Sequence, residues 1–262
     1  MHVFASPFKG TAPNASVLFG VELRGRDMKV DPNSKILLSY IAIDANGKVK
    51  GGNTDSLALT NLRPDTKARI EQSGLRMLNR LDLPPGKYQL RVAAQDQSGG
   101  NVGSVQYDLD VPDFAKAPFS MSGLVLTSGA GSAFPTVKPD EQLKAMMPGP
   151  PIALRAFPQN DEIALFTEVY DNAGATPHKV DIVTTVTTDD GKVLFKTEEV
   201  RDSTDLGGKS GGYGYATRVP LKELALGSYV LKVEARSRLG KTPPVARELQ
   251  FTVEAPRPAP AR

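Results

Sequence analysis

The chain has 262 residues, with 24 glycines, 21 prolines and no cysteine, and this length suits one or two domains, each with its own core. The missing thiols exclude disulfides, zinc–thiolate sites and thiol catalysis together. The net charge of +3 comes from 32 basic and 29 acidic residues, interspersed without a block of five like charges, so no basic stripe marks a nucleic-acid surface.

The N-terminus, MHVFASPFKG, lacks a basic region followed by an apolar core, so no signal peptide is visible. No run approaches the ~20 apolar residues of a membrane span. ASVLFGVELRG (15–25) predicts a strand. KILLSYIAIDANGKVKGG predicts strand, turn and strand, with Asn46-Gly47 as the hairpin dipeptide; SLALTNL follows. The polar stretch 61–74 has room for a short helical turn. A strand starts at Leu75. LPPGKYQLRV (83–92) then reads as a turn feeding a strand, because Pro fixes φ and Gly tolerates positive φ. In that strand Tyr88, Leu90, Val92 and Ala94 share one face and Gln89, Arg91 and Gln95 the other. SVQYDLDV (104–111) closes the first unit. The short linker is 113–118, within PDFAKAP.

FSMSGLVLTS opens the second unit. Residues 129–151 read as irregular, with PDEQLKAM (139–146) as a short helix. EIALFTEVYDNAG (162–174) predicts a strand and turn. KVDIVTTVTTDDGKVLFKTEEV (179–200) predicts a hairpin turned at Asp190-Gly191. GGKSGGYGY (207–215) connects to a strand from Tyr215. LALGSYVLKV (224–233) then repeats the earlier phrase in the same register, with Tyr229, Leu231, Val233 and Ala235 inward. ARELQFTV (246–253) matches SVQYDLDV, and the tail 256–262 is Pro-rich.

Three matched strands in succession indicate duplication. In each copy Gly-x-Tyr opens the strand: Gly86 with Tyr88, Gly227 with Tyr229. That pattern fits the tyrosine corner of immunoglobulin-like sandwiches, where the hydroxyl bonds upstream backbone; the plainer reading is core filling. The expectation is an all-β chain of two tandem immunoglobulin/fibronectin-III-like β-sandwich domains, 1–112 and 119–255.

Catalysis by nucleophile and base needs a base beside a nucleophile. The two histidines, His2 and His178, read as a chain-end residue and a surface or loop residue. GGKS (207–210) lacks the glycine a phosphate-binding loop requires. Aspartates gather in turns with asparagine, where they serve as turn formers; calcium is the alternative. No catalytic, cofactor or metal residue is expected. Without tryptophan, a sugar platform would rest on Tyr213 as the possible ligand contact, with Tyr215 turned into the core.

LRPDTKARIEQSGLRMLNRLDLPPGKYQLRVAAQD, VPDFAKAPFSMSGLVLTS, DEIALFTEVYDNAG and GGYGYATRVPLKELALGSYVLKVEARSRLG resemble the C-terminal region of bacterial von Willebrand factor A-related proteins, best known from acidobacteria. The resemblance runs through nearly the whole chain. It implies a β-sandwich region of an exported, extracytoplasmic parent with an upstream A-type domain, and hence that Met1 begins a fragment or truncated reading frame. The A domain's D-x-S-x-S metal motif and βαβ pattern do not occur here, so no binding residue transfers. The expected role is a non-enzymatic structural or protein-interaction module, facing a protein partner or cell-surface component. The alternative is a carbohydrate-binding or accessory module of a larger secreted enzyme.

Overall fold

The computed structural model describes residues 1–172, 176–205, 212–239 and 242–257, with the backbone alone at 133, 204, 212 and 213. In chain order the strands are β1 (His2–Lys9), β2 (Ala15–Leu23), β3 (Lys35–Asp44), β4 (Val49–Ala58), β5 (Leu75–Leu83), β6 (Gly86–Asp96), β7 (Val102–Val111), β8 (Phe119–Met121), β9 (Val125–Ser128), β10 (Thr136–Val137), β11 (Ala156–Pro158), β12 (Glu162–Asp171), β13 (Lys179–Thr187), β14 (Val193–Asp202), β15 (Gly212–Pro220), β16 (Gly227–Ser237) and β17 (Val245–Glu254). Among the described residues helix is confined to α1 (Pro64–Ser73) and α2 (Glu141–Lys144), besides three single 3-10 turns. Strand makes up 56% of the described residues against 9% helix, so the class is all-β, with a β-sandwich-like arrangement of several sheets. Among the described residues no helix is long and apolar enough to cross a membrane.

The chain forms two compact units. The first holds Met1–Asp113, Gly131–Lys144 and Pro150–Ala153; the second holds Phe114–Ala130, Ala145–Gly149 and Leu154–Arg262. The division therefore does not follow a single cut at 113–118, as the linear boundaries 1–112 and 119–255 assume. Gly131–Lys144, expected as an irregular part of the second domain, belongs to the first unit. There β10 adds to β5 as a parallel strand, pairing Thr136 with Arg76 and Val137 with Met77.

In the first unit one sheet runs β1-β2-β5-β10 and the other β4-β3-β6-β7. Alternation explains β3 and β6. Ile36, Leu38, Tyr40 and Ala42 are buried on β3, and Tyr88, Leu90, Val92 and Ala94 on β6, while Arg91 and Gln95 between them face water. Phe19 on β2 meets Tyr40 on β3 edge to face at 4.7 Å, joining one sheet to the other through ring contact. Strand β1 is an element the sequence pattern missed. Its five consecutive buried residues, Phe4 to Phe8, do not alternate with exposed ones, and Pro7 suits only an edge strand, which β1 is.

The second unit has a five-stranded sheet, β11-β17-β16-β13-β14, and a sheet β15-β12-β8 in which β9 also pairs with β12. Val180, Ile182, Thr184 and Val186 line the buried face of β13, and Tyr229, Leu231, Val233 and Ala235 that of β16. Thr184 Oγ1 and the Tyr215 hydroxyl hydrogen-bond at 2.9 Å in the interior, so the two sheets meet through a paired polar contact. The gap between β8 and β9 is held by Arg247, whose Nε donates to the Ser122 carbonyl at 3.0 Å and Nη2 to the Met121 carbonyl at 2.7 Å. Asn172 Nδ2 donates to the carbonyls of Phe114 and Ala117, which ties most of the expected linker to this unit.

Candidate functional site

The sequence-predicted structural residues come together in two equivalent turns. The Tyr88 hydroxyl donates to the Pro84 carbonyl at 2.8 Å, and the Tyr229 hydroxyl donates to the Ala225 carbonyl at the same distance. Both rings are buried, so each hydroxyl would be costly without its acceptor. Gly86 and Gly227 share a φ of 155°, which L side chains rarely adopt. This backbone lets the chain reverse and bring the upstream carbonyl to the hydroxyl. Burial pushes the Tyr88 phenol above its ordinary pKa. Tyr213 lies on β15 opposite Val169, and its side chain falls outside the described residues, as does GGKS at 207–210. Tyr215 is buried, and burial likewise raises its phenol pKa.

His178 is not the surface residue its loop position suggests. Its side chain is 6% exposed and that of Asp171 2%. Nε2 lies 2.7 Å from Asp171 Oδ2 and Nδ1 2.8 Å from the Thr176 carbonyl. Both ring nitrogens therefore face oxygen acceptors, and neither is turned to a nucleophile. The nearby Ser203 hydroxyl accepts from the His178 backbone N–H at 2.8 Å, and the Ser203 N–H returns a bond to the His178 carbonyl. A serine–histidine relay needs the hydroxyl on the ring; here it is on the main chain, and the arrangement clasps the ends of β12, β13 and β14.

A second buried polar cluster carries opposite charges. Arg76 and Glu22 have side chains 0% and 1% exposed, with Arg76 Nε 2.8 Å from Glu22 Oε1. Arg76 Nη2 donates to the Gly131 carbonyl at 2.7 Å, and the guanidinium lies over the Phe134 ring at 5.5 Å. Burial lowers the Arg76 pKa from its ordinary value, opposed by the Glu22 charge. The cluster explains why residues 131–137 join the first unit: they supply acceptor and ring to a guanidinium that cannot stay bare. The available signal was an Arg in LRML and a Glu in GVEL, two charges inside apolar strands.

A cleft of about 330 Å³ in the first unit is lined by Leu23, Arg24, Asp27, Ile36, Asp96 and Asn101 among others. Its carboxylates are engaged. Asp27 Oδ2 lies 2.7 Å from Arg24 Nε, and Asp96 accepts the backbone N–H groups of Lys29, Ser98 and Gly99. The turn residue Asp44 accepts from the backbone of Asn46 and Lys48 in the same way, which lowers its pKa, Lys48 being the largest cause. Among the described residues no three His, Asp or Glu side chains gather as metal ligands.

What remains open to a partner is a sheet edge. β14 is the outer strand of the five-stranded sheet, and among the described residues only β13 pairs with it. Val193, Leu194 and Val200 are exposed at 51%, 40% and 52%, an unusual density of bare apolar groups for one strand. Lys196 and Glu198 stand between Leu194 and Val200 on the outward face, their charges 2.5 Å apart.

No protein-family model matches the chain, and no curated protein sequence matches it. Among solved structures, a Bacteroides uniformis beta-glucuronidase aligns at 15% identity and a TM-score of 0.35, over 92% of this chain and 26% of its own. Red sea bream transglutaminase aligns at 10% identity and a TM-score of 0.28, over 97% of this chain and 31% of its own. The chain thus spans about a third or less of the length of these enzymes, and likeness this loose says nothing of what it does.

Proposed function

We propose that the chain is a non-enzymatic structural and protein-interaction module: two tandem immunoglobulin/fibronectin-III-like sandwiches from an exported, extracytoplasmic bacterial von Willebrand factor A-related protein. The observation that carries the reading is the repeated strand order. In one unit β4-β3-β6-β7 accompanies β1-β2-β5; in the other β14-β13-β16-β17 accompanies β15-β12-β8. Each copy has a Gly-x-Tyr turn whose hydroxyl reaches back four residues, as in a tyrosine corner. Core side chains on these strands supply rigidity, and the bare β14 edge supplies contact surface through its unpaired main-chain groups. The long sequence phrases support the parent family and its export.

The test is a panel of peptidase and glycosidase substrates together with a glycan array, run on the full chain. The expected result is no turnover and no retention. Turnover abolished by a single Asp or Glu substitution overturns the reading.

A further inference from the structure

We infer that the β14 edge is taken by a second copy of the same chain, joined β14 to β14 as an antiparallel pair centred on Thr197; the inference rests on the interaction-module reading above. Directly opposite residues of an antiparallel pair share a face. A two-fold axis at Thr197 therefore sets Lys196 of one copy opposite Glu198 of the other, twice. It sets Leu194 opposite Val200, also twice, and Thr197 opposite itself. All four of those outward residues are exposed, so the pairing covers Leu194 and Val200 while exchanging the in-strand Lys196–Glu198 contact for contacts between copies.

The register is specified. Moving the axis one residue toward Lys196 sets that lysine opposite itself, and moving it one residue toward Glu198 sets two glutamates face to face. Like charges directly opposite destabilise a sheet pair, and a slip to odd register would turn the apolar residues to the wrong face. Thr197, at half-buried depth, is a strand former that pairs well with itself. The ladder stops near Leu194, where the β13–β14 register shifts: Val186 pairs with Phe195 and Thr187 with Val193. A pair limited to residues 194–200 is small as interfaces go, so the association is weak and concentration-dependent.

Sedimentation velocity on the full chain from about 10 µM to about 1 mM tests this. The expected result is a monomer–dimer equilibrium, with K196E and E198K each weakening it about tenfold while leaving the circular dichroism unchanged. Mixing the two single variants restores dimer, because each supplies the charge the other has reversed, and the double variant K196E/E198K also dimerises. A monomer at every concentration, or single variants that dimerise as well as the parent, or a mixture that stays monomeric, overturns the inference. Such a result leaves the edge to a strand of another protein, while the substrate and glycan panel decides the module reading separately.

Discussion

β4 and β14 hold the same place in their sheets, each the outer neighbour of a strand that pairs on its other side with the Gly-x-Tyr strand. Their sequences solve the edge differently. β4 reads VKGGNTDSLA, with Gly51, Gly52, Asn53 and Asp55, residues that strands disfavour. Its charges are occupied off the strand: Lys50 with Asp44 at 3.2 Å and Asp55 with Lys138 at 3.6 Å. β14 reads VLFKTEEVRD, lacks glycine, and pairs four of its charges along itself, Lys196 with Glu198 and Glu199 with Arg201, while Asp202 pairs with Lys179 of β13. The first edge is blunted; the second is a strand of good propensity whose charges guard it against wrong partners and fit a matching one. The units also join their sheets differently: ring against ring at Phe19 and Tyr40 in one, hydroxyl against hydroxyl at Thr184 and Tyr215 in the other.

The sharpest way to break the comparison is at the Arg76–Glu22 ion pair buried in the first unit. R76A should cost about 3–5 kcal/mol, because the buried Glu22 carboxylate loses the guanidinium that balances its charge. Peptide-resolved hydrogen exchange should show β2, β5 and 131–137 loosening while β12 to β17 keep their protection. R76M/E22L should recover most of the loss, since an apolar pair of similar volume needs no partner. Recovery absent, with the single variant neutral, would mean the ion pair does not hold that segment.

Equivalence of the two turns is tested next. Y88A and Y229A should each cost about 3–5 kcal/mol through the cavity, and Y88F and Y229F about 1 kcal/mol for the hydroxyl bond, read by denaturant melts. Unequal Phe effects would show that the matching 2.8 Å bonds do unequal work. G86A and G227A should follow at about 1–2 kcal/mol each, from the same unfavourable φ. A Cβ at Gly227 meets nothing within 4 Å, and one at Gly86 meets the Tyr88 hydroxyl only at 3.5 Å. Strain rather than collision should therefore dominate, with equal costs at the two sites.

The smallest effect concerns pH. Arg238 grips both Asp181 oxygens, at 2.9 and 2.6 Å, and that hydrogen bonding holds the Asp181 carboxyl below its ordinary value of 3.8. A carboxyl depressed in the folded state contributes stability above its unfolded pKa and loses it as pH falls through the folded one. Thermal melts should thus drop in the window below about pH 4, and R238A should flatten part of that slope. The pair is largely exposed, so the change is a small shift in midpoint. An identical slope in R238A would remove Asp181 from the account.

The duplicated strands, the hairpin turns at Gly47 and Gly191, both at positive φ, and the inward faces of β6 and β16 follow from local pattern. A period of two and a residue that tolerates φ > 0 are properties of neighbours in the chain. Burial of His178 against Asp171, the Arg76–Glu22 pair, and the return of Gly131–Lys144 to the first unit were decided only in three dimensions. Each depends on groups far apart in sequence or across a loop satisfying one another's charge and hydrogen bonds, and periodicity along a strand carries no record of which distant partner does so.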